Sequence, residues 1–527
     1  MPLIFFGEKM IPLYSTDQIR KADEFAVKKL GIPSLLLMEN AARSLFAIIM
    51  NNYPDLNPLD KIGIVCGKGN NGGDGFALAR NFMNMGFSVS VIALCPKSEL
   101  AGDALTNHNI LVNLLKYNQD SSFSYYKNLS DLNKLKNCSV IIDAILGTGI
   151  KGEIKGKFEK VIDKLNDMEG IKIAIDVPSG LDMNTSTGST IFFSDLTITL
   201  AKQKTELVYG MGFVHSGEVA VGSIGIGSEY FDSLEVDDYL IEPEDVYGVL
   251  KLKELDVHKY SSGKVFVIAG SYHYTGAAVL TAEAALKNGA GSVVLAVPES
   301  IKPVVSLKLR EVVVESYGSA NDEFLNASHF NELKERTKWA DIIVIGPGLG
   351  KNSETVKCVH KLLNAAKNKT IIIDADGLNE LNLSGIKLKN LILTPHHKEF
   401  ADLLAISVGE LENNLMKISK DFASKHLCYL ALKGAPTIIF TPSGEALINS
   451  TGNPGMAKFG TGDVLTGTIA AMITNTIEIE DGIISAVYLH SLAADILAEK
   501  NTEFGFTATE IMDTIPYAIQ FIGQSIL

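Results

Sequence analysis

The sequence predicts an α/β protein made of two doubly wound, three-layer domains, on three observations. The chain has 527 residues, more than one hydrophobic core usually organises. Val- and Ile-rich runs recur through both halves, separated by helix-length segments: "KIGIVCG", "VSVIAL", "SVIIDAI", "KIAIDV" and "LTITLA", then "KVFVIAG", "SVVLAV", "ADIIVIG", "TIIIDAD", "NLILTP" and "PTIIF". Continuous apolar strands alternating with helices are the pattern of a parallel sheet covered on both faces. Between the two series, "GIGSEYFDSLEVDDYLIEPEDVYGVL" breaks the rhythm with a run of acids. The expected domains are therefore residues 1–230 and 236–527, and no short-period repeat competes with that reading.

Composition narrows the function classes. Hydrophobic residues make up 46% and charged residues 20%, which is ordinary globular usage. The net charge of −14 opposes a nucleic-acid partner, because a phosphate backbone meets net repulsion. The five cysteines, Cys66, Cys95, Cys138, Cys358 and Cys428, form no C-x-x-C pair and read as reduced core residues of a cytoplasmic protein. The N-terminal segment lacks a basic region followed by a long apolar one, and no segment reads as a membrane span. The expectation is a cytoplasmic protein with neither a nucleic-acid nor a membrane partner.

In the first half, "VCGKGNNGGDGFALARNF" places five glycines where the first strand should turn into a helix starting near Asp74. Glycine there permits unusual dihedrals and close approach of a phosphate to a helix N-terminus. The spacing is neither G-x-G-x-x-G nor a P-loop, so a tight turn with Asp74 as helix N-cap is an alternative. Two later strands end in acids, Asp143 in "SVIIDAILGTGIKG" and Asp176 in "KIAIDVPSGLD". The carboxyl ends of such strands open into the ligand crevice, so both acids are expected to face one site. Capping of local turns is the alternative, as Pro178 and Gly180 mark a turn after Asp176.

In the second half, "TGNPGMAKFGTGDVLTGTIAAMI" runs from a glycine-rich turn into an apolar helix. The N–H groups of Gly460, Thr461 and Gly462 would favour an anion, and Asp463 would act on a nearby hydroxyl, an arrangement suited to phosphoryl transfer. An N-capped buried helix is the structural alternative. Asp374 and Asp376 end a strand and either approach the site or cap the turn before Gly377. His396 and His397 have no partner at zinc-site spacing, and Trp339 reads as packing.

"MENAARSL", "GNNGGDGFALAR", "DAILGTG" and "DVPSGLD" together resemble the NAD(P)HX epimerase domain, with a Rossmann-like fold, over roughly residues 10 to 228. The resemblance implies a dinucleotide-like substrate on Asn70, Asn71, Gly72, Gly73 and Asp74, on the loop Gly147, Thr148, Gly149, Ile150, Lys151, Gly152 and Glu153, and on Asp176. It implies a potassium ion (K+) on Asn71, Asp143 and Ser179. Asp176 is the expected proton-transfer residue in exchanging the R and S forms at the hydrated ring carbon.

"KVFVIAGSYHYTGAAVLTAEAALKNGAG", "VIGPGLG", "IIIDADGLN", "LTPHHKEF" and "LALKGAPTII" precede the GTGD helix in order, and the set resembles the ADP- or ATP-dependent NAD(P)HX dehydratase, a ribokinase-like fold. It implies the hydrated nicotinamide at Ala277, Gly348, His396 and Asp463, with Asp463 catalytic. The adenine nucleotide and its Mg2+ fall at Lys433, Gly434, Ala435, Pro436, Thr437, Gly460, Thr461 and Gly462. Phosphorylation of the ring hydroxyl would turn it into a leaving group.

Two positions depart from the family: Lys458-Phe459 replaces two small residues, and Tyr260 stands where glycine commonly follows His-Lys. Phe459 is expected to crowd the loop before the anion hole, and Lys458 either lends charge to a phosphate or is solvated. The expected activity is bifunctional repair of NADHX and NADPHX, isomerase and lyase in one chain, assembled as a homo-oligomer. The rival readings are a ribokinase-like small-molecule kinase with a non-catalytic first half, and a binding module of the RNA-decay scaffold type.

Overall fold

The computed structural model describes residues 10–150, 152–251, 262–386 and 388–526; Lys151 and Tyr260 lie outside them. The chain divides into two compact units, Pro12–Val236 and Asp237–Leu527, the latter with residues 10–11. A two-residue strand, β1 (Ile11–Pro12), precedes the first unit.

The first unit carries β2 (Lys61–Cys66), β3 (Ser88–Ala93), β4 (Ser122–Tyr125), β5 (Val140–Ala144), β6 (Ile171–Ile175), β7 (Leu196–Leu200) and β8 (Glu218–Gly222). Their order is β4-β3-β2-β5-β6-β7-β8, and every neighbouring pair is parallel. The chain steps outward from β2 to β4 and then returns to the other side for β5. A crevice therefore opens at the carboxyl ends of β2 and β5.

The strands are apolar throughout because both faces are covered. Ile62, Ile64, Val89, Val91 and Ile142 pack with Leu45, Ile49, Phe76 and Phe82 on one face. Val65, Ile92, Ile141 and Ala174 pack with Val161, Ile162 and Leu165 on the other. The helix Asn70–Asn84 follows β2 and is capped by Gly69 rather than by Asp74. Asp74 lies inside that helix and is buried. Gly75 lets the helix rest on the sheet, since a Cβ there would meet Ala144 Cβ at 2.6 Å and Cys66 Sγ at 2.8 Å.

The second unit adds β9 (Asp238–Leu240), β10 (Lys264–Ile268), β11 (Ser292–Pro298), β12 (Val313–Tyr317), β13 (Ile342–Ile345), β14 (Thr370–Ile373), β15 (Asn390–Leu393), β16 (Tyr429–Leu432), β17 (Ile438–Phe440) and β18 (Ala446–Ile448). The sheet runs β1-β9-β18-β17-β16-β15-β14-β13-β10-β11-β12. It is parallel from β12 through β16, and β16, β17 and β18 continue it antiparallel. Here the order reverses at β10, which lies between β11 and β13.

The expectation of two doubly wound α/β domains holds, with an antiparallel extension that three-residue strands did not reveal. The helix Ile479–Asn501 is long and apolar enough to cross a membrane, yet Ile483, Val487, Leu489, Ala493 and Ala494 belong to the unit's core.

The helix Thr461–Asn475 packs on the helix Thr275–Lys287, and Gly467 sets their separation: a Cβ there would meet the Thr281 carbonyl oxygen at 2.2 Å and Ala284 Cβ at 2.8 Å. A backbone neighbour cannot rotate away. Gly467→Ala is therefore expected to destabilise this unit by about 1–3 kcal/mol, read as a lower thermal midpoint, despite alanine's better helix propensity.

Candidate active sites

In the first unit a cleft of about 610 Å³ opens at the carboxyl ends of the strands. Its walls include Asn70, Asn71, Asp74, Gly147, Thr148, Gly149, Ile150 and Asp176, with Asp23 and Lys68. The turn, the first half of the loop after β5 and the end of β6 therefore converge on one space. Gly152 and Glu153 turn elsewhere: the Gly152 N–H donates to Asp182 at 2.5 Å, and Glu153 lies 3.5 Å from Lys155. Gly72 and Gly73 are packing positions, where a Cβ would meet the Gly67 carbonyl oxygen at 2.1 Å and Met38 Cε at 2.7 Å, respectively.

Asp143 and Asp176 do not face the cleft equally, contrary to expectation. Asp143 is fully buried and lies outside the cleft lining. Its carboxylate accepts from Ser179 Oγ at 2.7 Å, Ser179 N–H at 2.8 Å and Ile145 N–H at 3.0 Å. Burial nevertheless pushes its pKa up to about 6, against the lowering by these bonds. Asn71 donates through Nδ2 to the Leu146 carbonyl at 3.0 Å, while its buried Oδ1 has no hydrogen-bond partner among the described residues. Asn71, Asp143 and Ser179 are thus gathered around Leu146 by direct bonds.

Asp176 occupies left-handed backbone, φ 68°, a conformation that L-residues adopt only when the surroundings hold it. The main anchor is Lys204, whose buried ammonium lies 2.6 Å from Asp176 Oδ1 and also donates to Thr199 Oγ1 at 2.7 Å. The Leu200 N–H donates to the same carboxylate oxygen at 3.1 Å. Sequence reasoning missed Lys204, because nothing in "AKQKTEL" distinguishes it from the neighbouring Lys202. Asp23 was missed for the same reason: on the helix Thr16–Lys28 it reads as part of a charged outer face, yet it opens to the cleft.

In the second unit Asp463 sits in the first turn of the helix Thr461–Asn475, whose cap, Gly460, is left-handed at φ 90°. Burial, then the charge of Asp374, pushes the Asp463 carboxyl up to about 7, with Lys433 acting against them. Lys433 follows β16 and donates to Asp374 Oδ1 at 2.7 Å; a Cβ on Gly462 would stand 3.3 Å from its Nζ. Asp374 also accepts from Thr466 Oγ1 at 2.7 Å, and Asp376 accepts from Gly350 N–H at 2.9 Å. Asp374 is thus tied to the helix that bears Asp463 and makes no side-chain cap.

Gly348 and Ala277 meet across the sheet's switch point, with 3.0 Å between a Gly348 Cβ and Ala277 Cβ. His396 caps the helix His397–Leu404, its Nδ1 accepting from Glu399 N–H at 3.2 Å, and it bridges to Lys433. Gly434 lies against His397, and Thr437 accepts from the Asn449 N–H. Thus Lys433, Gly434 and His396 come together beside Gly462 and Asp463.

The expectations for Lys458 and Phe459 are corrected. Lys458 Nζ donates to the carbonyls of Phe506 at 2.6 Å and Phe504 at 3.1 Å and lies 4.6 Å from the Phe506 ring centre. It ties two loops together, with its side chain half-buried. Phe459 is fully exposed, because the Lys458 bonds and the left-handed Gly460 turn its side chain outward instead of into the anion hole.

Comparison with known proteins fits this division. Residues 34–206 match the family described as YjeF-related protein N-terminus, and residues 265–517 match NAD(P)H-hydrate dehydratase. The bifunctional NAD(P)H-hydrate repair enzyme of Moorella thermoacetica is 33% identical over 526 residues, 98% of each chain. That of Coxiella burnetii is 32% identical, over 95% of this chain and 98% of the relative. Among solved structures, an ADP/ATP-dependent NAD(P)H-hydrate dehydratase from Bacillus subtilis, co-crystallised with ATP and Mg2+, is 28% identical over 53% of this chain and 97% of its own, with a TM-score of 0.48. Near-complete alignment at such identity makes this chain a member of the bifunctional NAD(P)H-hydrate repair enzyme family.

Proposed function

We propose that the two units divide the repair: the first exchanges R- and S-NAD(P)HX, and the second dehydrates the S form to NAD(P)H with ADP or ATP. The observation that carries the first assignment is the Lys204–Asp176 pair at the wall of the cleft, a carboxylate held by 2.6 Å contact in a strained conformation. Such fixation supports proton transfer at the hydrated ring carbon, because a positioned base needs no reorganisation when the substrate arrives. The turn Asn70–Asp74 and the loop Gly147–Ile150 would hold the substrate's polar groups.

In the second unit, the N–H groups at Gly460–Gly462 and the Lys433 ammonium favour phosphate oxygens. Asp463 would take the proton of the ring hydroxyl as that oxygen receives phosphate from the nucleotide. Phosphate then leaves with the carbon–oxygen bond's electron pair and a proton is lost from the adjacent ring carbon, which restores the dihydronicotinamide. The Mg2+ that accompanies ADP or ATP would be held chiefly by the nucleotide's own phosphates.

A K+ ion fits the first unit on its donor chemistry. The orphaned Asn71 Oδ1 and the buried Asp143 carboxylate beside Ser179 offer neutral and anionic oxygens, the set that a hard, singly charged cation takes. Asn71, Asp143 and Ser179 would hold it, and it would supply the charge that offsets buried Asp143.

Three outcomes test the scheme. Asp176→Asn should slow epimerisation at least about 100-fold, followed by chromatographic separation of the epimers, with circular dichroism unchanged; a rate near the parent's removes its role.

Asp463→Asn should abolish nucleotide-dependent recovery of NADH absorbance from S-NADHX. In the parent that recovery should rise as pH passes upward through about 7, because the base must lose its proton to act.

Exchanging K+ for tetramethylammonium should lower both epimerisation and the first unit's melting temperature. Asp143→Asn should lose both responses. A melting temperature indifferent to K+ in the parent would remove the ion from this site.

A further inference from the structure

Four carboxyl groups, those of Asp23, Asp74, Asp103 and Asp176, line the first unit's cleft, and the one buried ammonium, that of Lys204, pairs with Asp176. Asp176 has Lys204 at 2.6 Å. Asp74, on the helix Asn70–Asn84, is 7% exposed and lines the cleft, yet among the described residues its carboxyl makes no hydrogen bond or ion pair. Asp23 lines the same space from the helix Thr16–Lys28. A buried carboxyl without a partner is costly as an anion and is retained where its proton is used.

Building on the epimerase reading above, we propose that Asp74 is the acid that complements Asp176 as base, and that Lys204 is the positioning residue that separates their roles. The carbon to be inverted bears a hydroxyl and the ring nitrogen. Asp176 accepts the hydroxyl proton, the oxygen's electron pair forms a carbonyl, and the carbon–nitrogen bond breaks. Its electron pair goes to the ring nitrogen, which takes the proton of Asp74. Rotation about the adjacent carbon–carbon bond presents the other carbonyl face. The nitrogen then attacks, its proton returns to Asp74, and Asp176 returns the other to oxygen. Protons balance and nothing is oxidised or reduced.

The surrounding charges agree with this division. Burial first, then Asp176 and Asp23, hold the Asp74 carboxyl well above the ordinary range. Asp23 is raised to about 6 by desolvation and then by Asp176, with Lys204 opposing. Arg20, Asp103 and Lys68 also face the cleft, from two helices and the turn after β2. The pairing follows the general pattern in which environments push two nearby titratable groups apart into acid and base.

The test uses the full-length enzyme, R-NADHX without nucleotide, and chromatographic separation of the epimers over a range of pH. Asp74→Asn should lower kcat at least about 100-fold with KM within about threefold of the parent. Asp74→Glu should restore part of the rate. The parent's kcat should fall on the alkaline side as Asp74 loses its proton, and the residual rate of Asp74→Asn should lack that fall. A kcat within about threefold of the parent, or a change in KM alone, overturns the assignment. If Asp74→Asn does not melt like the parent, the parent's profile decides, and a rate flat on the alkaline side overturns it. A parent that leaves the R form untouched at every pH takes down the epimerase reading with it, a result distinct from an active parent with an indifferent variant.

Discussion

A carboxylate at the carboxyl end of a buried parallel strand cannot be left alone, and this constraint organises both units. The sheet faces are closed by apolar helices, so water reaches such a group only through the crevice at the strand ends. The chain meets the constraint three times with different partners. Asp143, near the end of β5, accepts from the hydroxyl and N–H of Ser179 and from the N–H of Ile145. Asp176, after β6, takes the ammonium of Lys204. Asp374, after β14, takes the ammonium of Lys433 and the hydroxyl of Thr466. Ser179, Lys204, Lys433 and Thr466 come from segments distant in sequence from the acids they bind, so each of these pairings also fixes a loop or helix to the strand end.

How legible this was depends on whether the signal is local. The alternation of apolar runs and helices revealed both doubly wound units, because burial on two faces acts on every residue of a strand. The glycine turn and Asp176 stood out as candidates because the apolar run before each ends abruptly, and Asp463 because a glycine turn precedes it and an apolar helix follows. Lys204 did not, since its partner lies 28 positions away and nothing nearby marks a lysine as buried. The strands β9 and β18 escaped for a related reason. Each has three residues, too few for a period to show. The alternative of Asp74 as a helix N-cap does not hold, because the backbone of Gly69 already opens that helix and Asp74 lies inside it.

Lys458-Phe459 shows how a departure from a family pattern can be neutral locally. Taken alone, a bulky aromatic next to an anion hole predicts obstruction. The loop avoids it because Lys458 is drawn to the carbonyls at 504 and 506, and a left-handed glycine then reverses the chain into the helix. The side chain between them has only solvent to occupy. The outcome belongs to the tertiary partner of Lys458, which the local sequence does not contain.

Lys204, fully buried, and Lys433, half-buried, are best understood through what they cost. Removing an ammonium and a carboxylate from water takes several kcal/mol per ion, and the attraction between them returns much of it only with good geometry. Well-packed apolar residues would stabilise these strand ends as well or better. Pairs retained at the strand ends of both sites therefore point to chemistry rather than to stability. In the first unit the ammonium is committed to Asp176, and Asp74 and Asp23 share the cleft without one of their own. In the second, Lys433 binds Asp374 directly and leaves Asp463 raised to about 7. Both units thus place one partnered carboxylate beside one that is not, and the unequal allocation of a single positive charge is what gives two identical side chains different work.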